Sequence, residues 1–165
     1  MSSNPITERF YKQWKIYTSW ITGNLNALSD EELKVELVPG KNHGVWILGH
    51  LIESEDDLSK YLGKGDMLFP EYEQIFGQGS TLMPLDKYPS VSTLREQWKQ
   101  VLEKNDKILS QFKDEEWEQK QALYKEGEDN FFTTKGSCIM IWNLHQAYHH
   151  GQLAVLLSKA GKTRI

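Results

Sequence analysis

The chain has 165 residues, a formal net charge of −4 and a single cysteine, Cys138. That length suits one ordinary domain with its own hydrophobic core. Acidic and basic residues are mixed along it, with no basic stripe or basic–aromatic patch, so it lacks the electrostatic footprint of a nucleic-acid binder. A lone cysteine cannot close an internal disulfide, which fits a reducing compartment. Its apolar neighbours Ile139, Met140 and Ile141 predict a buried, inert thiol.

Residues Met1 to Pro5 do not lead from a basic segment into an apolar run, so no secretory signal is expected. The longest apolar stretches, such as Val45 to Leu48 and Cys138 to Trp142, are far too short to span a bilayer. The expectation is a cytoplasmic protein, residues 1–165 forming one domain, with no membrane and no nucleic-acid partner.

Four long helices are predicted. The first runs from Pro5 to Ala27, with Pro5 suited to a first turn and Phe10, Trp14, Tyr17 and Ile21 at core-facing spacing. Ser29 to Glu32 reads as a capped turn, Ser29 as N-cap and Glu32 three residues on. Pro39-Gly40 closes that connection.

The second helix runs from Gly44 to Leu62 and ends before Gly63. Ile47, His50, Leu51, Leu58 and Leu62 share a face, and Glu55, Asp56, Ser59 and Lys60 are expected on the wet side. Residues 63–89 form a long connection, with a short turn near Glu71 to Ile75 and apolar anchors that pack it on the bundle. A third helix follows from Val91 to Phe112, with Ser90 as N-cap. Asp114 to Gln119 suggests one more helical turn, and Ala122 to Thr134 fits a loop or a hairpin.

The fourth helix runs from Ser137 to Ala160. Ile141, Leu144, Tyr148, Leu153, Leu156 and Leu157 form its apolar stripe. Gly161 stands where a left-handed cap belongs, followed by basic Lys162 and Arg164. Four long helices without a convincing set of strands argue for an all-α bundle.

The chemistry lies in the histidines. His145 and His149 are at i and i+4 on the last helix, which stacks their rings on one face where both can reach the same metal ion. From spacing alone, two core or rim histidines hydrogen-bonded to neighbouring helices explain the pair equally well. His50 lies in the most apolar part of the second helix, within Trp46-Ile47-Leu48-Gly49-His50-Leu51-Ile52. A bundle brings such inward-facing residues together, and three neutral imidazoles on one ion leave a coordination position open for water or substrate.

His43 reads as a turn residue before the second helix, and His150, rotated about 100° from His149, leaves the shared face. Glu53 and Asp57 follow His50 on roughly its own face. Glu53 either fixes a ligand ring by accepting its proton or is a solvated helix charge, the commoner fate of a glutamate. Gln152, three residues after His149, either orients a ligand or packs.

Two segments carry a family resemblance: Trp46-Ile47-Leu48-Gly49-His50-Leu51, and His145-Gln146-Ala147-Tyr148-His149-His150-Gly151-Gln152-Leu153. In them the chain resembles the DinB-like superfamily, which includes damage-inducible DinB proteins and YfiT-like thiol transferases. His150 stands where that pattern usually has an arginine, and the register of His145 and His149 is kept.

The resemblance implies a four-helix bundle with a long connection between its second and third helices. It also implies a divalent metal, zinc or nickel, on His50, His145 and His149. The implied activity is transfer of a low-molecular-weight thiol to an electrophile. Hydrolysis by a metal-activated water and a non-catalytic metal-binding or stress-related module are the alternatives. Similar bundles also form homodimers. Phe69, Tyr72 and Phe76 of the connection either shape a substrate pocket or simply pack, and packing is the commoner outcome.

Overall fold

A computed structural model describes residues 5–128 and 130–163. Met1 to Asn4 and Arg164, both used in reading the sequence, lie outside the described residues. Six α-helices occur among the described residues, and no strand does, beyond two isolated bridges. They are α1 (Pro5–Ala27), α2 (Asp30–Leu33), α3 (Gly44–Leu62), α4 (Tyr72–Phe76), α5 (Val91–Ser110) and α6 (Lys135–Lys159). No helix is long and apolar enough to cross a membrane.

Local chemistry sets these boundaries. Ser29 and Glu32 form a reciprocal capping box at α2, and Thr134 and Ser137 form another at α6, each pair satisfying two orphan amides. His43 is the N-cap of α3, its Nδ1 accepting the Trp46 N–H at 3.0 Å. Gly63 and Gly161 adopt φ of 65° and 69°, and the amides after them reach back to Ser59 and Leu157. Both helices therefore close in a left-handed turn that glycine enters without steric cost. Arg95 of α5 caps α1 in space, donating to the carbonyls of Leu25 at 2.7 Å and Leu28 at 2.8 Å.

Helix α1 packs chiefly on α6, and α3 is held between α5 and α6. This position explains a correction to the sequence reading. Glu55, Asp56 and Ser59 are buried, at 1%, 0% and 0% exposure. A helix covered on two sides has little wet face, and its polar residues must find partners inside.

Glu55 accepts from Trp14 Nε1 at 3.0 Å, from Asn105 Nδ2 at 2.8 Å and from Gln146 Nε2. Asp56 pairs with Lys104 and accepts the Phe69 N–H at 2.8 Å, which ties the long connection to α3. Along α3 these polar residues separate two apolar clusters, one holding Ile47, Leu48 and Leu51, the other Leu58 and Leu62.

A second correction concerns α6. Leu144 and Tyr148, expected in its apolar stripe, are 71% and 64% exposed. The side of α6 that faces α1 and α3 carries Trp142, Asn143, Gln146, His149 and Leu153, so polar and apolar residues share the inner face. Cys138 is fully buried, and burial pushes its thiol up to about 12. The described residues 122–128 and 130–134 take an irregular path, and a bridge between Lys120 and Thr134 joins the two ends of the segment.

Candidate metal centre

The centre is built where α3 crosses α6. Their Nε2 atoms converge: His145 Nε2 lies 3.0 Å from His50 Nε2 and 2.9 Å from His149 Nε2. His50 and His149 are buried and His145 is half-buried. Among the described residues this is the only group of three or more histidine, cysteine or acidic side chains able to hold a metal ion.

The outer nitrogens fix the tautomers. His50 Nδ1 lies 2.7 Å from the carbonyl oxygen of Phe76, which can only accept, so the His50 proton sits on Nδ1. His149 Nδ1 lies 2.7 Å from Gln152 Oε1 and donates to it in the same way. Both rings therefore turn an unprotonated Nε2 toward His145. A proton on His145 Nε2 can bridge to only one of them, which leaves two lone pairs facing each other. A cation relieves that repulsion. The 2.9 and 3.0 Å separations match the edge of about 2.8–3.0 Å of an octahedral site with bonds of about 2.0–2.1 Å and fall short of the tetrahedral edge of about 3.3–3.4 Å. The donor set thus fits a divalent ion of the imidazole-binding kind.

Electrostatics favour neutral rings. Burial lowers His50; it pushes His145 down to about 3 and His149 to about 4, with the neighbouring rings adding to the effect. His43 is remote from the cluster as the cap of α3, and the His150 ring lies beside Trp20. Neither belongs to the cluster of His50, His145 and His149.

A cavity of about 660 Å³ opens over the histidines. Trp46 stacks on His50 at 4.7 Å between centroids, and Tyr148 stands edge-on to His149 at 5.0 Å. Glu53, Asp57, Tyr61, Phe132 and Trp142 also line it, and Gln78 and Gly79 bring the long connection into its wall. Phe69, Tyr72 and Phe76 do not line it; they pack with the core. Phe76 enters the site only through its backbone.

Glu53 is 9% exposed, so it is not a solvated charge, yet its Oε2 is 3.6 Å from His50 Nδ1 and loses that proton to Phe76. Burial, reinforced by Asp57, raises its carboxyl to about 7. A larger groove of about 900 Å³ runs between α1 and α5, but no histidine lines it.

The sequence profile of the DinB superfamily matches residues 10–153. The chain belongs to the DinB superfamily. Its fold is that of a DinB-like protein from Bacillus cereus ATCC 10987, solved by crystallography, with a TM-score of 0.70 and 21% identity over 96% of this chain and 95% of that one. No curated protein matches the sequence significantly. In this DinB-superfamily chain His50, His145 and His149 of the two motif segments meet in space, and His150 of the second does not.

The Phe76 carbonyl, by contrast, escapes sequence reasoning, because a backbone acceptor 26 residues away leaves no mark of residue type. A signal for it did exist. Gly49 lies under the Phe76 ring, where a Cβ would stand 2.2 Å away.

Proposed function

We propose that this protein is a metal-dependent enzyme in which His50, His145 and His149 hold zinc or nickel, and that it transfers a low-molecular-weight thiol to an electrophile. The observation that carries this reading is the convergence of three Nε2 atoms, two of them held as lone pairs by Phe76 and Gln152, at the floor of an open cavity. Three protein ligands leave a coordination position free, the pattern of a catalytic site. A divalent ion there supplies a Lewis acid that lowers the pKa of a thiol brought to the open position. Phe76 and Gln152 hold two imidazoles in the ligating tautomer, and Trp46 and Tyr148 pack against the His50 and His149 rings. The unit of function in this proposal is one four-helix-bundle domain spanning residues 1–165, working in the cytoplasm.

The proposal includes a homodimer. Met140, Leu144, Tyr148 and Val155 are 52%, 71%, 64% and 46% exposed and recur along one face of α6. An apolar stripe of that length on a helix suits burial against a second copy.

The test is elemental analysis of protein purified without a histidine tag, beside a His50→Ala, His145→Ala double variant, followed by a screen of thiols with activated aryl halides. Near-stoichiometric zinc or nickel in the parent alone, with conjugation that depends on both metal and thiol, is the expected result. Ester cleavage without thiol dependence would replace transfer by hydrolysis. No metal in the parent, even after ions are added back, would leave a histidine-lined binding module.

A further inference from the structure

The cavity extends along α3 from His50, past the adjoining Glu53, and that stretch has its own chemistry. Four residues of α3 descend along it: His50, Glu53, Asp57 and Tyr61, at successive spacings of three, four and four. That spacing keeps them on one face, with Asp57 roughly 10 Å along the axis from His50. Tyr61, Phe132 and Trp142 close the recess as a triangle of rings, with centroids 5.2, 6.0 and 6.3 Å apart. The Trp142 indole is fixed by its N–H, which donates to the Ser54 carbonyl at 2.5 Å.

Carboxyl groups outnumber basic side chains here. No lysine or arginine lines the cavity among the described residues. Glu53 is nine-tenths buried and pairs with no lysine or arginine, receiving only a 3.3 Å hydrogen bond from Ser54 and the distant His50 contact. Lys60, which does not line the cavity, pairs with Asp57 Oδ1 at 2.8 Å. Lys60 is also shared with Glu73. One ammonium is thus shared by Asp57 and Glu73, and Glu53 has none.

Buried carboxylates beside aromatic faces are the surroundings that a desolvated cation prefers, through ion pairing and cation–π attraction. We propose that this recess binds a protonated amino group, carried about 5–10 Å from the atom that approaches the histidines, by the helical rise between them. Resting on the metal-site reading above, the proposal narrows the substrate class to amine-bearing small molecules and disfavours ligands with an acidic group at that distance. Glu53 and Asp57 pair with the ammonium, and Tyr61, Phe132 and Trp142 cover its methylene neighbours.

The test compares three thiols of equal length: 6-amino-1-hexanethiol, 6-mercapto-1-hexanol and 6-mercaptohexanoate. Cobalt-loaded protein is titrated with each, and thiolate-to-cobalt absorption is read. The aminothiol should bind at least about tenfold tighter than the alcohol and the acid weakest, with the preference shrinking as salt rises. Glu53→Gln and Asp57→Asn should each cut the amine preference several-fold while leaving the alcohol within about twofold. Equal affinities in the parent protein would overturn the proposal, whatever the variants do.

Failure of the metal reading shows separately, as absence of the cobalt d–d bands before any thiol is added. In that event the recess is tested on metal-free protein with hexylamine against hexanol, read by the Trp142 indole N–H resonance assigned through Trp142→Phe. A shift with the amine alone supports the recess, and equal or no shifts reject it.

Discussion

The ring of Phe76 lies so close to the backbone of Gly49 that any Cβ at that position would stand 2.2 Å from it, and the carbonyl of the same Phe76 holds the proton of His50. One glycine on α3 therefore lets α4 settle near enough to orient the His50 ring. Gly49→Ala should push α4 outward and cost about 1–3 kcal/mol of stability through overpacking. It should also weaken metal binding, because the Phe76 oxygen moves with its ring. Urea unfolding and chelator competition read the two effects. Lost stability with unchanged metal affinity would mean that the carbonyl contact is incidental.

Gln152 plays the corresponding part for His149, accepting its Nδ1 proton at 2.7 Å. Gln152→Leu removes that acceptor and leaves the ligand ring free to change tautomer. Metal affinity should fall by about 10–100-fold, while Gln152→Glu should hold or raise it by making a stronger acceptor. Competition with a calibrated chelator at fixed pH measures both, and equal affinities across the three proteins would remove Gln152 from the site.

The sequence and the structure agree most closely where local chemistry decides the outcome. The caps at Ser29, Ser90 and Gly161 and the i,i+4 pair His145 and His149 are all properties of a few adjacent residues. Burial of Glu55, Asp56 and Ser59 was not legible in the same way. Their exposure depends on α3 being covered by both α5 and α6, and no periodicity within α3 reports a second covering helix. Leu144 and Tyr148 mislead for the complementary reason. Their spacing is that of a core stripe, yet α6 turns its histidine and glutamine face inward to meet α3, which leaves those two apolar side chains outside. The acceptor for His50 was out of reach because it belongs to a backbone.

That outer face of α6 gives a prediction about assembly. If Leu144 and Tyr148 are covered by a second copy, Leu144→Glu with Tyr148→Lys should turn a dimer into a monomer without loss of helix content. Both residues are exposed in the single chain, so folding has little stake in them. Light scattering on the eluting peak, with circular dichroism as control, distinguishes the outcomes. A parent protein that is already monomeric at tens of micromolar would discard the dimer and leave the stripe as a surface of another use.

Glu55 sets the pH dependence of stability that is easiest to isolate. Burial holds its carboxyl above the ordinary value of 4.5, in spite of the hydrogen bonds it accepts from Trp14, Asn105 and Gln146. A carboxyl whose folded pKa exceeds its unfolded one takes up protons on folding, so its ionisation opposes the folded state. Its contribution is therefore most favourable below about 4.5 and declines as pH rises through the folded value. The buried histidines act in the opposite sense, since His145 and His149 are pushed down and must shed protons to fold between pH 4 and 6.5. Glu55→Gln removes the first effect and keeps the second, so the difference between variant and parent separates them. Urea midpoints of metal-free protein at pH 5 and pH 8 should show the parent losing more, or gaining less, than Glu55→Gln over that interval. Parallel pH profiles would mean that Glu55 titrates alike in the folded and unfolded chains, and that its three donors offset the whole cost of its burial.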